Sequence, residues 1–124
     1  MNPKVMIVDD EPEVCEAIDR FLSRRGFSVV TARDGEEALC KVINERPELV
    51  FLDIRLPGVD GVECLRRIKQ ICPQTLVVMV TCVNDLDIAE EAIQLGAIDY
   101  ITKPCEMEVI EKLATVYLFL HSEA

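Results

Sequence analysis

Asp53 closes the run Leu49, Val50, Phe51, Leu52 and is followed at once by a turn rich in proline and glycine, Leu56, Pro57, Gly58. An apolar run without alternation suits a strand covered on both faces of a parallel sheet. In open α/β sheets the carboxyl ends of such strands are where ligands and chemistry collect. Alone, Asp53 is also an ordinary turn residue, and its company changes that weight. Asp9 and Asp10 end the apolar run Lys4 to Val8, Thr81 ends Leu76 to Val80, and Lys103 follows Ile98 to Ile101. Singly these are acidic caps, a strand-end hydroxyl and a solvated cation. Brought to one edge they form a problem in electrostatics, because two carboxylates 4 Å apart repel by about 4 kcal/mol at an effective dielectric near 20. Positive charge must sit among them. Lys103 supplies one unit, and an oxygen-only donor set suits a hard cation such as Mg²⁺.

The intervening stretches supply the elements that deliver these residues. Pro12 suits the first turn of a helix carrying Val14, Ile18, Phe21 and Leu22, and Arg24, Arg25 and Gly26 suit its end. Phe27 to Ala32 is a short β-branched strand, after which Asp34 and Glu37 open a helix bearing Ala38, Leu39, Val42 and Ile43. Asp60 and Glu63 open a third helix with Leu65, Ile68 and Cys72 on one side, stopped by Pro73. Asp85 is a natural cap for a fourth, bearing Ile88, Ala89, Ala92 and Ile93 and closing at Gly96. The last helix begins with Glu106 and Glu108, with Val109, Leu113, Val116, Tyr117 and Leu120 read as one side. Strict alternation of strand and helix implies right-handed crossovers and an α/β doubly wound parallel sheet with five strands and five helices. The purest apolar runs, strands 3 and 4, belong in the middle and strands 2 and 5 at the edges, the flavodoxin-like order 2-1-3-4-5.

The totals agree. A chain of 124 residues makes one domain, 1–124, with a single core. Its apolar runs are short and broken by charge, so no membrane segment is expected and the reading is soluble and cytoplasmic. A net charge of −10 argues against direct nucleic-acid binding and favours a cation or a basic partner. The six cysteines form no CxxC pair and His121 is the only histidine, so they are expected to be small hydrophobes of a reducing compartment, not zinc ligands or disulfides.

Over essentially its whole length the sequence resembles the receiver domain of two-component response regulators. The matching residues are Asp9, Asp10 and Glu11; Asp53 to Gly61 with Pro57 and Gly58; Thr81; Gly96 and Ala97; and Asp99, Tyr100, Lys103 and Pro104. The resemblance implies that Asp53 is a phosphoacceptor and that Asp10, Asp53 and the backbone carbonyl of Arg55 bind Mg²⁺, with Asp9 acting through a metal-bound water. It implies further that Thr81 and Lys103 hold phosphoryl oxygens, that Tyr100 is a switch aromatic, and that the Lys103–Pro104 bond is cis. The partner would be a sensor histidine kinase or phosphotransfer protein, and the chain would catalyse only its own phosphorylation and dephosphorylation. A carboxylate can attack phosphorus directly when positive charge offsets the electrons gathering on the transferred group.

The chain departs from the family at Cys82, where Ala or Gly is usual, while Arg55 and Val83 occupy positions that tune the lifetime of the phosphorylated state. The consecutive Tyr117, Leu118, Phe119 and Leu120 exceed what one buried face needs, and suggest a partner or homodimer surface across helix 4, strand 5 and helix 5. Other readings fit less well. An aspartyl-phosphate phosphohydrolase places its nucleophile after strand 1 in a DxD pattern, and a flavin carrier needs a Gly, Ser and Thr cradle that the strand 1 loop lacks.

Overall fold

The alternation read from the sequence is the alternation found. The computed structural model describes residues 2–122, with side chains through Leu120, so the His121 side chain lies outside the described residues. Strands β1 (Lys4–Val8), β2 (Ser28–Ala32), β3 (Leu49–Asp53), β4 (Leu76–Thr81) and β5 (Asp99–Thr102) pair in parallel in the order β2-β1-β3-β4-β5. Helices α1 (Pro12–Ser23), α2 (Gly35–Glu45), α3 (Gly61–Ile71), α4 (Leu86–Gln94) and α5 (Met107–Ser122) connect and cover them. Every residue of β3 is buried, whereas β5 is half-buried along its whole length, as the contrast between their apolar runs requires.

Side chains alternate across each strand, so the sheet divides the core in two. Met6, Val8, Val50, Leu52, Val77 and Met79 pack beneath α2, α3 and α4. Val5, Ile7, Leu49, Phe51 and Val78 pack beneath α1 and α5. Pairing of Val8 with Leu52, Asp53 with Val80 and Thr81 with Thr102 brings the four strand ends level.

Two helices start as their sequences dictate: Asp34 and Asp60 each accept the amide of the residue three positions on, at 2.8 and 2.9 Å. Asp85 does not. A short 3₁₀ turn, Val83–Asp85, precedes α4, and the buried Asp85 carboxylate makes no capping bond because it is committed elsewhere. The face of α5 also differs from the expectation. Ile110, Leu113, Ala114, Tyr117 and Leu118 turn toward the core, while Val109, Val116 and Leu120 are exposed. Both sets have helical spacing, and only docking against the sheet selects between them. Cys15, Cys64 and Cys72 are buried as small hydrophobes, Cys82 and Cys105 are half-buried and Cys40 is exposed; all six are free thiols. Among the described residues no helix is long and apolar enough to cross a membrane.

Gly61 fixes the turn that follows β3. A Cβ there would stand 2.4 Å from the Asp53 carbonyl oxygen and 2.6 Å from Ile54 Cα, and the Gly61 amide donates to the Ile54 carbonyl at 2.9 Å. Gly61→Ala is therefore expected to lower unfolding free energy by about 1–3 kcal/mol, measured as a lower urea midpoint at unchanged slope.

Candidate functional site

Asp9 and Asp53 continue the side-chain alternation of Val5 and Ile7 and of Leu49 and Phe51, and Lys103 continues that of Asp99 and Ile101. All three thus emerge on the α1 and α5 side of the sheet edge. Lys103 Nζ donates to Asp9 Oδ2 at 2.9 Å and to Asp53 Oδ2 at 2.8 Å, joining residues 94 and 50 positions away. Backbone amides take the remaining oxygens: Glu11 N donates to Asp9 Oδ1 at 2.9 Å and Arg55 N to Asp53 Oδ1 at 3.0 Å. Asp9 and Asp53 are buried and Asp10 is exposed, yet one oxygen from each lies within 4.8 Å of the others. Burial raises the Asp53 pKa above its ordinary value; the Lys103 ammonium and the Arg55 amide oppose that rise, and the Asp9 charge adds to it. Burial acts to lower the Lys103 pKa, but its bonds to Asp53 and Asp9 outweigh burial and raise it. The lysine is therefore a fixed cation between two carboxylates, one of which is held under electrostatic stress.

Thr81 belongs to the other face of the sheet, in line with Val77 and Met79. Its buried hydroxyl donates to the carbonyl of Cys82 at 3.1 Å. Its own carbonyl accepts the Lys103 amide at 2.6 Å, which ties the end of β4 to the residue that carries the cation. The Lys103–Pro104 peptide is cis, as the resemblance implies.

A family model described as the response regulator receiver domain matches residues 5–115. The chain belongs to the response regulator receiver family. Like its relatives it is a module of two-component signalling, a phosphorylation-based switch. It is 36% identical over 122 residues to sporulation initiation phosphotransferase F of Bacillus subtilis, covering 98% of each chain. It is 39% identical to the alkaline phosphatase synthesis transcriptional regulatory protein PhoP of the same organism, where the match covers 84% of this chain and 43% of PhoP. In structure it superimposes with a TM-score of 0.91, at 28% identity and full coverage of both chains, on a CheY-like receiver domain from Methanospirillum hungatei.

The three carboxylates of this receiver offer hard oxygen donors close enough to share one cation after small side-chain rotations, so they fit a Mg²⁺ ion. Asp10 and Arg55 also line a cleft of about 790 Å³ that runs past Pro57 to Ile88 and Glu91 of α4. Tyr100 packs, half-buried, on the α4 side of the sheet. Its neighbour Asp99 faces the other way: Tyr117 of α5 donates its hydroxyl to Asp99 Oδ2 at 2.6 Å. Sequence reasoning missed this tie from β5 to α5. It also missed a second contact, in which the Arg55 guanidinium meets Asp85. Arg55 entered the sequence reading through its carbonyl and as a position that tunes the lifetime of the phosphorylated state, Asp85 only as a cap, and no spacing rule links residues 30 positions apart.

Two outcomes follow from these fields. Because the Asp53 pKa is raised on folding, its ionised form costs stability above that pKa, and the cost fades as falling pH protonates it. Asp53→Asn is expected to melt about 2–6 °C higher at pH 7, with the difference shrinking as the pH falls through the carboxylate range, read by calorimetry. The bond to Asp99, aided by burial, pushes the Tyr117 phenol up to about 12. Asp99→Asn should return that titration toward about 10, followed by ultraviolet absorbance.

Proposed function

We propose that Asp53 accepts a phosphoryl group from the phosphohistidine of a sensor histidine kinase or phosphotransfer protein in a Mg²⁺-dependent reaction. The observation that carries this is the Lys103 ammonium bridging Asp9 and Asp53 at 2.9 and 2.8 Å, a fixed positive charge beside a buried carboxylate at a strand end. The phosphotransferase named among the relatives supports the same reading.

In this proposal a carboxylate oxygen of Asp53 attacks phosphorus in line. The new O–P bond forms as the N–P bond of the donor breaks, and the electron pair leaves on the imidazole nitrogen. Asp10, Asp53 and the Arg55 carbonyl would hold Mg²⁺, with Asp9 acting through a water, and the ion would supply positive charge toward the transferred oxygens. Lys103 moves its hydrogen bond from Asp53 to a phosphoryl oxygen. Thr81 turns its hydroxyl from the Cys82 carbonyl to another, since the added group brings strong acceptors. Movement of Thr81 leaves room for Tyr100 to swing inward, and the face formed by α4, β5 and α5 reads the change. Val116 and Leu120 of α5, 41% and 58% exposed, add apolar surface to that face, suited to a second copy of the chain. The site acts in the cytoplasm, where its donor kinase presents phosphohistidine.

Incubation with acetyl phosphate and Mg²⁺ should add one phosphate by mass spectrometry, and chelation of the metal should abolish it. An Asp53→Asn chain that still takes the label, or steady turnover of a phosphomonoester, would sink the assignment. Light scattering before and after phosphorylation tests the shared face, and an unchanged monomer mass would count against it.

A further inference from the structure

Arg55 and Asp85 form a strap between the two loops that border the site. Arg55 Nε donates to Asp85 Oδ2 at 2.6 Å and Arg55 Nη2 to Asp85 Oδ1 at 2.7 Å, the two-pronged geometry in which a guanidinium holds a carboxylate best. The halves are unequal. The Asp85 side chain is 4% exposed and that of Arg55 72%, so a buried carboxylate is covered from the solvent side by an exposed cation. The Cys82 thiol adds a third contact, to Asp85 Oδ2 at 3.2 Å.

Both ends of this chain of contacts are fastened to the reacting strand ends. Arg55 lies two residues beyond Asp53, and its amide already donates to Asp53 Oδ1 at 3.0 Å. Cys82 follows Thr81, whose hydroxyl donates to the Cys82 carbonyl at 3.1 Å. When Thr81 leaves that carbonyl for a group on Asp53, it releases a hydrogen bond on the residue whose thiol rests on Asp85. Asp85 also has an alternative partner. It stands at the cap position of α4 and belongs to a residue type that caps well, yet its side chain makes no capping bond and its backbone, at φ −110° and ψ 22°, is outside the extended region of a capped start. Held by Arg55, it leaves the first turn of α4 without that bond. Released, it can supply it once the 3₁₀ turn Val83–Asp85 rearranges.

We propose that Asp85 is a positioning residue of the phosphoryl site: it holds the Arg55 guanidinium off Asp53 in the unmodified chain, and capture of Arg55 by a phosphoryl group frees Asp85 to cap α4. This rests on the phosphoacceptor reading. A phosphoryl group outcompetes a carboxylate for arginine because it carries more charge and more acceptor oxygens. Once Arg55 leaves, a buried carboxylate without its cation is costly, and that cost drives the β4–α4 segment out of its resting position. The device has two discrete states, each with its own partner for Asp85, as a switch requires.

The test uses beryllofluoride with Mg²⁺ as a phosphoryl mimic, calorimetric titration for affinity, and hydrogen exchange with mass spectrometry for residues 82–89. In the unvaried chain, binding of the mimic should change exchange in this segment. Asp85→Asn, which keeps a capping side chain but releases Arg55, should bind the mimic about fivefold more tightly or better. It should also exchange residues 82–85 faster before any mimic is added. Arg55→Gln removes the strap from its exposed side; it should speed the same exchange without the gain in affinity, and it keeps the test available if the buried substitution impairs folding. A purely structural role for Asp85 would leave the affinity unchanged or weaken it. Affinity for Asp85→Asn no tighter than that of the unvaried chain, or unchanged exchange in both variants, overturns the proposal. A chain that binds no mimic at all overturns the phosphoacceptor reading and this inference with it.

Discussion

The structure depends on one unresolved electrostatic conflict, the crowding of Asp9, Asp10 and Asp53 at the carboxyl edge of the sheet. Carboxylates so close repel, and two of them are buried where water screens little. The fold tolerates this because Lys103 reaches both buried members from the far edge strand, and because backbone amides of Glu11 and Arg55 take the oxygens that face them. One lysine against three acids leaves the cluster short of positive charge. That shortfall is what suits it to a divalent cation and to chemistry in which further negative charge must be held.

Side-chain alternation turns this conflict into a site with two compartments. Asp9, Asp53 and Lys103 share the α1 and α5 side, while Thr81 and Tyr100 lie with the core beneath α4. A change at Asp53 must cross the sheet edge to be felt beneath α4, and Thr81, at the end of a strand, is placed where that crossing is shortest. The contacts that resist the crossing are few: a hydroxyl on the next carbonyl, a thiol on Asp85, and a guanidinium held on it by two bonds from the solvent side. The contacts that maintain the edge itself, such as Gly61 packed on the Asp53 carbonyl, leave no room to move. A rigid strand end beside a loop held by a few exchangeable contacts is a mechanically useful pairing for a switch.

How much of this was legible in the sequence depends on the range over which each feature is decided. Asp34 and Asp60 cap their helices because the bond spans three residues, and the uninterrupted apolar run of β3 declares a central strand by itself. Asp85 has the same local credentials and behaves otherwise, because a guanidinium 30 residues earlier offers its carboxylate two bonds where the helix start offers one. On α5, Val109, Val116 and Leu120 fit a helical stripe as well as Ile110, Ala114 and Leu118 do. Only the position of the sheet decides which stripe is buried.

The sequence by itself determined the order of elements, the strand order and the membership of the acidic site, since these follow from apolar periodicity, turn chemistry and the ends of strands. Tertiary structure alone decided which carboxylate oxygens share Lys103, where Arg55 and Asp85 meet, which way the Thr81 hydroxyl points, and which side of α5 is covered. The physical reason is that these contacts join residues tens of positions apart at distances set by sheet register and helix docking, and several partners of equal local merit compete for each group until packing selects one.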